Sequence, residues 1–130
     1  MIFYDQTTLS VPEKGTYGDC VRAVYKTILQ NPLEGFPHSI GEDGQMNPAF
    51  FDALEALGWE ENFVVYRPER DFTYLSRIVM AAGPTVRTHL TGAHHGVVYD
   101  RVAGAMLHDP HPSRAGLTEI RFLYWLEAVA

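Results

Sequence analysis

Apolar residues recur at helical spacing in the first half of the chain and predict two helices. Over residues 20–30 an apolar residue falls at every third or fourth position, which gives a helix one buried face. That face consists of Val21, Val24, Tyr25, Ile28 and Leu29. Asp19 is placed to cap the start of this helix, and the Asn-Pro pair at residues 31–32 ends it. A second helix is predicted with Asn47 as its N-cap and Pro48 in its first position.

The rest of the chain predicts one further helix and then an antiparallel sheet. Helical spacing of apolar residues recurs between Asp71 and Gly83, which predicts a third helix. Short segments rich in β-branched residues and bounded by turn residues predict strands at residues 62–67, 85–90, 95–101, 105–109 and 119–126. Helices that precede a run of strands are typical of the α+β class. We therefore expect a single α+β domain over residues 1–130.

Composition and charge narrow the range of functions. A chain that is 46% hydrophobic and 20% charged has the composition of a globular protein, which excludes a disordered chain. Its formal charge of -6 and the absence of any basic run argue against a nucleic-acid partner. No apolar stretch approaches the roughly 20 residues that span a bilayer, so no membrane partner is expected. Residues 1–6 lack a signal-peptide pattern, and a single cysteine allows no intramolecular disulfide, so we expect a cytoplasmic protein.

The single cysteine, Cys20, falls in the first turn of the first predicted helix. Unpaired amide groups and the positive end of the helix dipole favour a thiolate at this position. Gly18 lets the backbone approach a substrate closely, and the first-turn amides could stabilise an oxyanion. A lone cysteine is often a small core residue. Cys20, however, lies beside the apolar face of the helix rather than within it, which favours a nucleophile.

A nucleophilic cysteine needs a base, and the base needs a group that orients it. A predicted hairpin near the end of the chain supplies both. A three-residue loop that ends at Gly104 places this glycine in the left-handed conformation that such loops require, and it sets Val97 opposite Asp109. His95 and Asp109 are then diagonal neighbours about 7–8 Å apart at the backbone, within reach of each other's side chains. A register shift of one residue would instead make His94 the base.

Four short motifs occur in order along most of the chain. They are GDCVRA at residues 18–23, NPLEGFPH at 31–38, HGVVY at 95–99 and HDPHPS at 108–113. Together they resemble the papain-like cysteine peptidase superfamily, and more narrowly its bacteriocin-leader-processing branch and short proteins encoded by phages and prophages. The resemblance implies a papain-like fold, in which the helix that bears the nucleophile packs on an antiparallel sheet.

The resemblance also implies a role for each residue of the site. Cys20 is the nucleophile, His95 the general base and Asp109 the orienting carboxylate. Papain-like enzymes also use a glutamine ahead of the cysteine to donate a hydrogen bond to the oxyanion. Gln6 is the only glutamine before Cys20, and a loop between the two residues would absorb a spacing longer than that of papain-type enzymes.

The implied activity is hydrolysis of a peptide, isopeptide or related amide bond through a thioester, without a cofactor or a metal. The substrate would be a peptide or protein in the cytoplasm of a bacterial or phage-infected cell, and an acyl transferase would use the same triad. Two other functions fit the sequence. One is a catalytically silent phage or prophage binding module on the same fold. The other is a metal site built from Asp109 and the histidines at 94, 95, 108 and 111, although strand alternation divides these residues between two faces.

Overall fold

The computed structural model describes residues 1–129, which contain three α-helices, five β-strands and one turn of 3-10 helix. The α-helices are α1 (Cys20–Leu29), α2 (Pro48–Ala56) and α3 (Thr88–Thr91). The strands are β1 (Trp59–Val65), β2 (Ile78–Gly83), β3 (His95–Asp100), β4 (Ala105–His108) and β5 (Phe122–Ala128). The 3-10 turn spans Pro12–Lys14, in the otherwise irregular N-terminal arm. The prediction of an α+β chain is confirmed.

The five strands form one antiparallel sheet in the order β1-β5-β2-β3-β4. The last strand, β5, inserts between β1 and β2, so the end of the chain joins the two halves of the sheet. Tyr124 of β5 illustrates this position, because it pairs with Phe63 on one side and with Met80 on the other.

Each face of the sheet has its own hydrophobic core. On one face α1 packs Val24 and Tyr25 against β2, β3 and β5, and Val98 belongs to this core. On the other face Phe72 and Leu75, from the segment between β1 and β2, cover the core that contains Val97. Neighbouring residues of β3 therefore face opposite cores, as the alternation of side chains along a strand requires.

Two predicted elements are wrong. Residues 71–82 do not form a helix: they contain a turn followed by most of β2, which is central and buried on both faces. Such a strand carries an unbroken apolar run, and that run also satisfies helical spacing. The strand predicted at residues 85–90 is instead a turn that leads into α3. The Thr85 amide donates to Thr88 Oγ1 at 2.8 Å and begins this turn.

The two predicted N-caps differ in the structure. Asn47 caps α2 as expected, because its side chain accepts a hydrogen bond from the Ala49 amide at 3.1 Å. Asp19 occupies the N-cap position of α1, but its side chain caps no amide of that helix. The buried Asp19 carboxylate accepts hydrogen bonds from the amides of Thr7 at 2.7 Å and Thr8 at 3.0 Å. Asp19 therefore fastens the N-terminal arm to the start of α1.

Candidate active site

A cleft of about 530 Å³ lies at the N-terminal end of α1, above the face of the sheet that this helix covers. Cys20 and His95 both line the cleft. Gly96 and Met80 form part of its floor, and a Cβ atom at residue 96 would lie 2.7 Å from Met80 Sδ. The absence of a side chain at Gly96 therefore leaves room for the side chain of Met80. The half-buried Cys20 thiol opens into this space.

His95 and Asp109 form a buried hydrogen-bonded pair. His95 Nε2 donates to Asp109 Oδ1 at 2.6 Å, and the two residues are only 8% and 1% exposed. Asp109 Oδ1 also accepts from the His111 amide at 2.9 Å, and Asp109 Oδ2 accepts from the Gly116 amide at 2.8 Å. Three donors thus fix the carboxylate. Because Nε2 is committed to Asp109, Nδ1 is the imidazole nitrogen left for the thiol of Cys20.

The electrostatics of the site favour a protonated imidazole. Burial lowers the pKa of His95, but hydrogen bonds to Asp109 and Cys20, with the charges of both groups, raise it to about 9. Burial raises the pKa of Asp109, yet the hydrogen bonds from His95 and from the amides of His111 and Gly116 lower it to about 2. At neutral pH the pair is therefore an imidazolium and a carboxylate. An imidazolium beside a thiol stabilises the thiolate.

The hairpin loop between β3 and β4 is longer than predicted. Asp100 pairs with Ala105, so the loop contains four residues, 101–104, rather than three. Gly104 has a φ of 66°, the left-handed conformation that was expected for it. The Gly104 amide closes the loop by donating to the carbonyl of Asp100 at 2.9 Å.

A bulge between Tyr99 and Val98 restores the predicted register of β3 and β4 on the side of the hairpin that contains His95. Tyr99 pairs with Met106, but the next residue of β3, Val98, pairs with His108 and leaves Leu107 as the extra residue. The pairing of Val98 with His108 is the one that the three-residue loop also predicts. The structure consequently brings His95 rather than His94 to Asp109.

Gln6 lies in the same cleft as Cys20 despite its distance along the chain. The backbone amide of Gln6 donates to the carbonyl of Pro110 at 3.1 Å, and its side-chain Nε2 donates to the carbonyl of Thr8 at 2.8 Å. A Cβ atom at Gly18 would lie 2.9 Å from Gln6 Nε2, so the glycine makes room for this side chain. Gln6 Oε1 is buried and has no hydrogen-bond partner within residues 1–129. Gln6 is thus held in the cleft by its backbone amide and by one proton of Nε2, which leaves the second Nε2 proton for a ligand.

Two positioning residues were not identified from the sequence. Gly116 supplies an amide to Asp109 and has a φ of 73°, which glycine adopts more readily than other residues. Arg114 donates to the Asp109 carbonyl and to Asp5 Oδ1, both at 2.6 Å, and so joins the segment after β4 to the residue before Gln6. Only the loop position of Gly116, after the Asp109 motif, signals its role. The contact of Arg114 with Asp5 joins residues that are 109 positions apart, so no short sequence pattern predicts it.

The other histidines of the hairpin do not converge. His94 is exposed, with its Nε2 3.4 Å from Arg121 Nη1. His108 Nε2 bonds to Asp5 at 2.9 Å, and His111 Nδ1 bonds to Ser113 at 2.9 Å. Within the part of the chain that the structure describes, no group of three or more His, Cys, Asp or Glu side chains is placed to hold a metal ion.

No protein family, curated protein or solved structure matches this chain. None of the helices in residues 1–129 has the length and apolar character needed to cross a membrane. The functional interpretation therefore depends on the geometry of the cleft.

Proposed function

We propose that this protein is a cysteine hydrolase of papain-like fold that cleaves a peptide, isopeptide or related amide bond. Cys20 is the nucleophile, His95 the general base and acid, and Asp109 the residue that orients the imidazole. The observation that carries the proposal is the buried 2.6 Å hydrogen bond between His95 and Asp109, beside a thiol that opens into a cleft. Burying an ion pair has a large desolvation cost, which offsets much of what the pair contributes to stability. Nucleophilic catalysis by a cysteine uses a pair of this kind, because the carboxylate orients the imidazole that activates the thiol.

Acylation begins from the thiolate of Cys20 and the imidazolium of His95. The thiolate attacks the carbonyl carbon, a C–S bond forms, and the carbonyl electron pair moves onto the oxygen. Among residues 1–129 no side chain caps the start of α1, so the amides of its first turn are available to this oxyanion, and Gln6 Nε2 supplies a second donor. The intermediate collapses as the C–N bond breaks. His95 gives its proton to the departing amine, and a thioester remains on Cys20.

Deacylation reverses the role of the imidazole. His95, now neutral, takes a proton from water as the water oxygen attacks the thioester carbon. The C–S bond breaks, the carboxylic acid leaves, and the thiolate and the imidazolium are restored. Asp109 holds Nε2 throughout, so Nδ1 carries each proton. An amine in place of water would give acyl transfer.

The acidic chain argues against a nucleic-acid substrate, and a single cysteine fits a reducing cytoplasm. The resemblance of the motifs to bacteriocin-leader-processing peptidases and phage proteins suggests a peptide or protein substrate in a bacterial or phage-infected cell. Neither a cofactor nor a metal takes part in the proposed steps.

Peptide cleavage by the purified protein tests this proposal. The protein is incubated with a mixed library of linear and lysine-isopeptide-linked peptides, and mass spectrometry counts the new termini. The wild type should generate new termini at a restricted set of sequences, and Cys20→Ala should generate none. His94→Ala is the matched control and should retain the cleavage. Equal products from the wild type and Cys20→Ala, or no products from either, would overturn the proposal. Uncleaved peptides that stay bound to the protein would instead indicate a binding module.

A further inference from the structure

The cleft extends well beyond the reacting groups and contains one unused carboxylate. Of the described residues that line it, only Glu61 is acidic. The other end includes the guanidinium of Arg87 and the imidazole of His95, which its raised pKa keeps protonated. The cleft is thus polarised, with positive groups near the proposed nucleophile and a negative group away from it.

Glu61 is held in place by a hydrogen bond from an uncharged residue. It is half-buried, and one carboxylate oxygen accepts a hydrogen bond from the hydroxyl of Tyr25, which is fully buried in the core under α1. Burial raises the pKa of Glu61, although the Tyr25 hydrogen bond opposes this. Among the described residues no Lys, Arg or His forms an ion pair with Glu61. A carboxylate removed from water is costly without a counter-charge, and a ligand can supply one.

Two aromatic rings lie beside this carboxylate. Phe63 is two residues from Glu61 on β1, so both side chains are on the same face of the sheet. Phe63 pairs with Tyr124 of β5, and their rings are stacked with centroids 5.5 Å apart. Phe63 is 61% exposed, and both rings line the cleft. Aromatic faces attract ammonium and guanidinium groups, so they complement the charge of Glu61.

The sheet order sets the separation between this group and the reacting atoms. β1 lies three strand positions from β3, which corresponds to about 14 Å at the usual strand spacing. An extended peptide covers that length with about four residues. A substrate whose reacting carbonyl lies at Cys20 can therefore place a nearby side chain at Glu61.

We propose that Glu61, Phe63 and Tyr124 form a subsite for a positively charged side chain of the substrate, a lysine or an arginine. This assignment rests on the proposed function, because it requires the reacting carbonyl at Cys20. The charged group lies within about four residues of the scissile bond. The hydroxyl of Tyr25 fixes one oxygen of Glu61 and leaves the other to the substrate.

Affinity labels that react with Cys20 test the subsite without requiring turnover. The probes are N-acetylated tetrapeptidyl chloromethyl ketones of alanine in which one position carries lysine, norleucine or glutamate, with a separate set for each position. Cys20 displaces chloride and forms a thioether, and intact-protein mass spectrometry gives the second-order rate constant. Iodoacetamide, which carries no peptide, measures the intrinsic reactivity of the thiol.

For at least one position, the wild type should react at least about tenfold faster with the lysine probe than with the norleucine probe, and slowest with the glutamate probe. Glu61→Gln should reduce the lysine preference to within twofold and leave the iodoacetamide rate unchanged. Glu60→Gln, a change at the neighbouring exposed position of β1, is the control and should keep the preference. If Glu61→Gln does not fold, the wild-type preference should still fall severalfold between 0.05 and 0.5 M salt, as for an ion pair.

The two proposals fail in different ways. Equal rates for lysine and norleucine probes at every position, with rapid iodoacetamide labelling, would overturn the subsite and leave the proposed hydrolase standing. A lysine preference that survives in Glu61→Gln would also overturn it. Iodoacetamide labelling no faster than that of free cysteine would overturn the proposed function itself.

Discussion

Replacing Asp109 by asparagine would show how far His95 depends on its buried partner. The change keeps the shape of the side chain and removes its charge. In the folded protein the pKa of His95 is about 9, against an ordinary value of 6.5. At about 1.4 kcal/mol for each pH unit, the difference amounts to about 3 kcal/mol of stability that depends on protonated His95.

The direction of the pH dependence follows from this raised pKa. The folded protein holds the His95 proton more tightly than the unfolded chain, so the stabilisation is complete below pH 6.5 and is lost as the pH rises through about 9. The pKa of Asp109 is lowered from 3.8 to about 2, so its stabilisation is present above pH 3.8 and is lost as the pH falls through about 2. Both pKa shifts arise largely from the hydrogen bond between His95 and Asp109, so its contribution to stability is about 3 kcal/mol and not the sum of the two shifts.

Asparagine also leaves one buried donor without an acceptor. The Asp109 carboxylate accepts from His95, His111 and Gly116, whereas an amide has one oxygen and an NH₂ group that repels a donor. An unsatisfied buried donor costs about 1–3 kcal/mol. Part of the raised pKa of His95 comes from Cys20 and survives the change. We therefore expect Asp109→Asn to lower the free energy of unfolding by about 3–5 kcal/mol at pH 6, and this difference from the wild type to narrow above pH 7.

Urea denaturation at pH 6, 7.5 and 9 measures this difference. Asp52→Asn, an exposed change on α2, is the control and should follow the wild type at every pH. Peptide cleavage by Asp109→Asn should fall by about 10²–10⁴-fold, because the imidazole loses its orientation. A stability difference that is the same at pH 6 and pH 9 would refute the conclusion that Asp109 raises the pKa of His95.

Other predictions concern the positioning of the site and its proton transfers. Gln6→Ala should slow peptide cleavage by about 10²–10³-fold but leave iodoacetamide labelling unchanged, since alkylation forms no oxyanion; equal losses in both assays would contradict this role. Gly18→Ala should slow cleavage in the same way, because its methyl group would lie 2.9 Å from Gln6 Nε2, and wild-type rates would show that Gln6 does not act from this position. Gly104→Val should lower the free energy of unfolding by about 1 kcal/mol or more in urea denaturation, because a β-branched residue resists a positive φ, and an unchanged midpoint would refute this. The cleavage rate should decline above about pH 9 as His95 loses its proton, and a rate that is flat to pH 10 would contradict its role as the general acid.

Elements whose pattern is local could be predicted from the sequence. The helical face that begins at Val21 and the turn at Gly104 each depend on residues close together in the chain, and α1 and the β3-β4 hairpin are present in the structure. The predicted loop was one residue too short, because no feature of residues 105–108 indicates the bulge at Leu107. The contact between His95 and Asp109 could still be anticipated, since the bulge restores the expected pairing.

Features that depend on distant packing could not be predicted. β2 is buried on both faces, so its apolar run has no alternation to distinguish it from a helix. The place of Gln6 depends on the buried carboxylate of Asp19, which binds the amide of Thr7, and on the carbonyl of Pro110. These contacts join residues that are far apart in the chain, so no short motif predicts them.

Alkylation of Cys20 by iodoacetamide as a function of pH tests most directly the claim that His95 holds a reactive thiolate at Cys20. For an ordinary thiol the rate falls more than about a hundredfold from pH 8.5 to pH 6, because the thiolate fraction falls about tenfold for each pH unit below the thiol's pKa of about 8.5. The wild type should lose less than about threefold over this range, because the imidazolium stabilises the thiolate. His94→Ala should behave like the wild type, and His95→Ala should show the hundredfold fall. A hundredfold fall in the wild type, or matching profiles for the wild type and His95→Ala, would contradict the account.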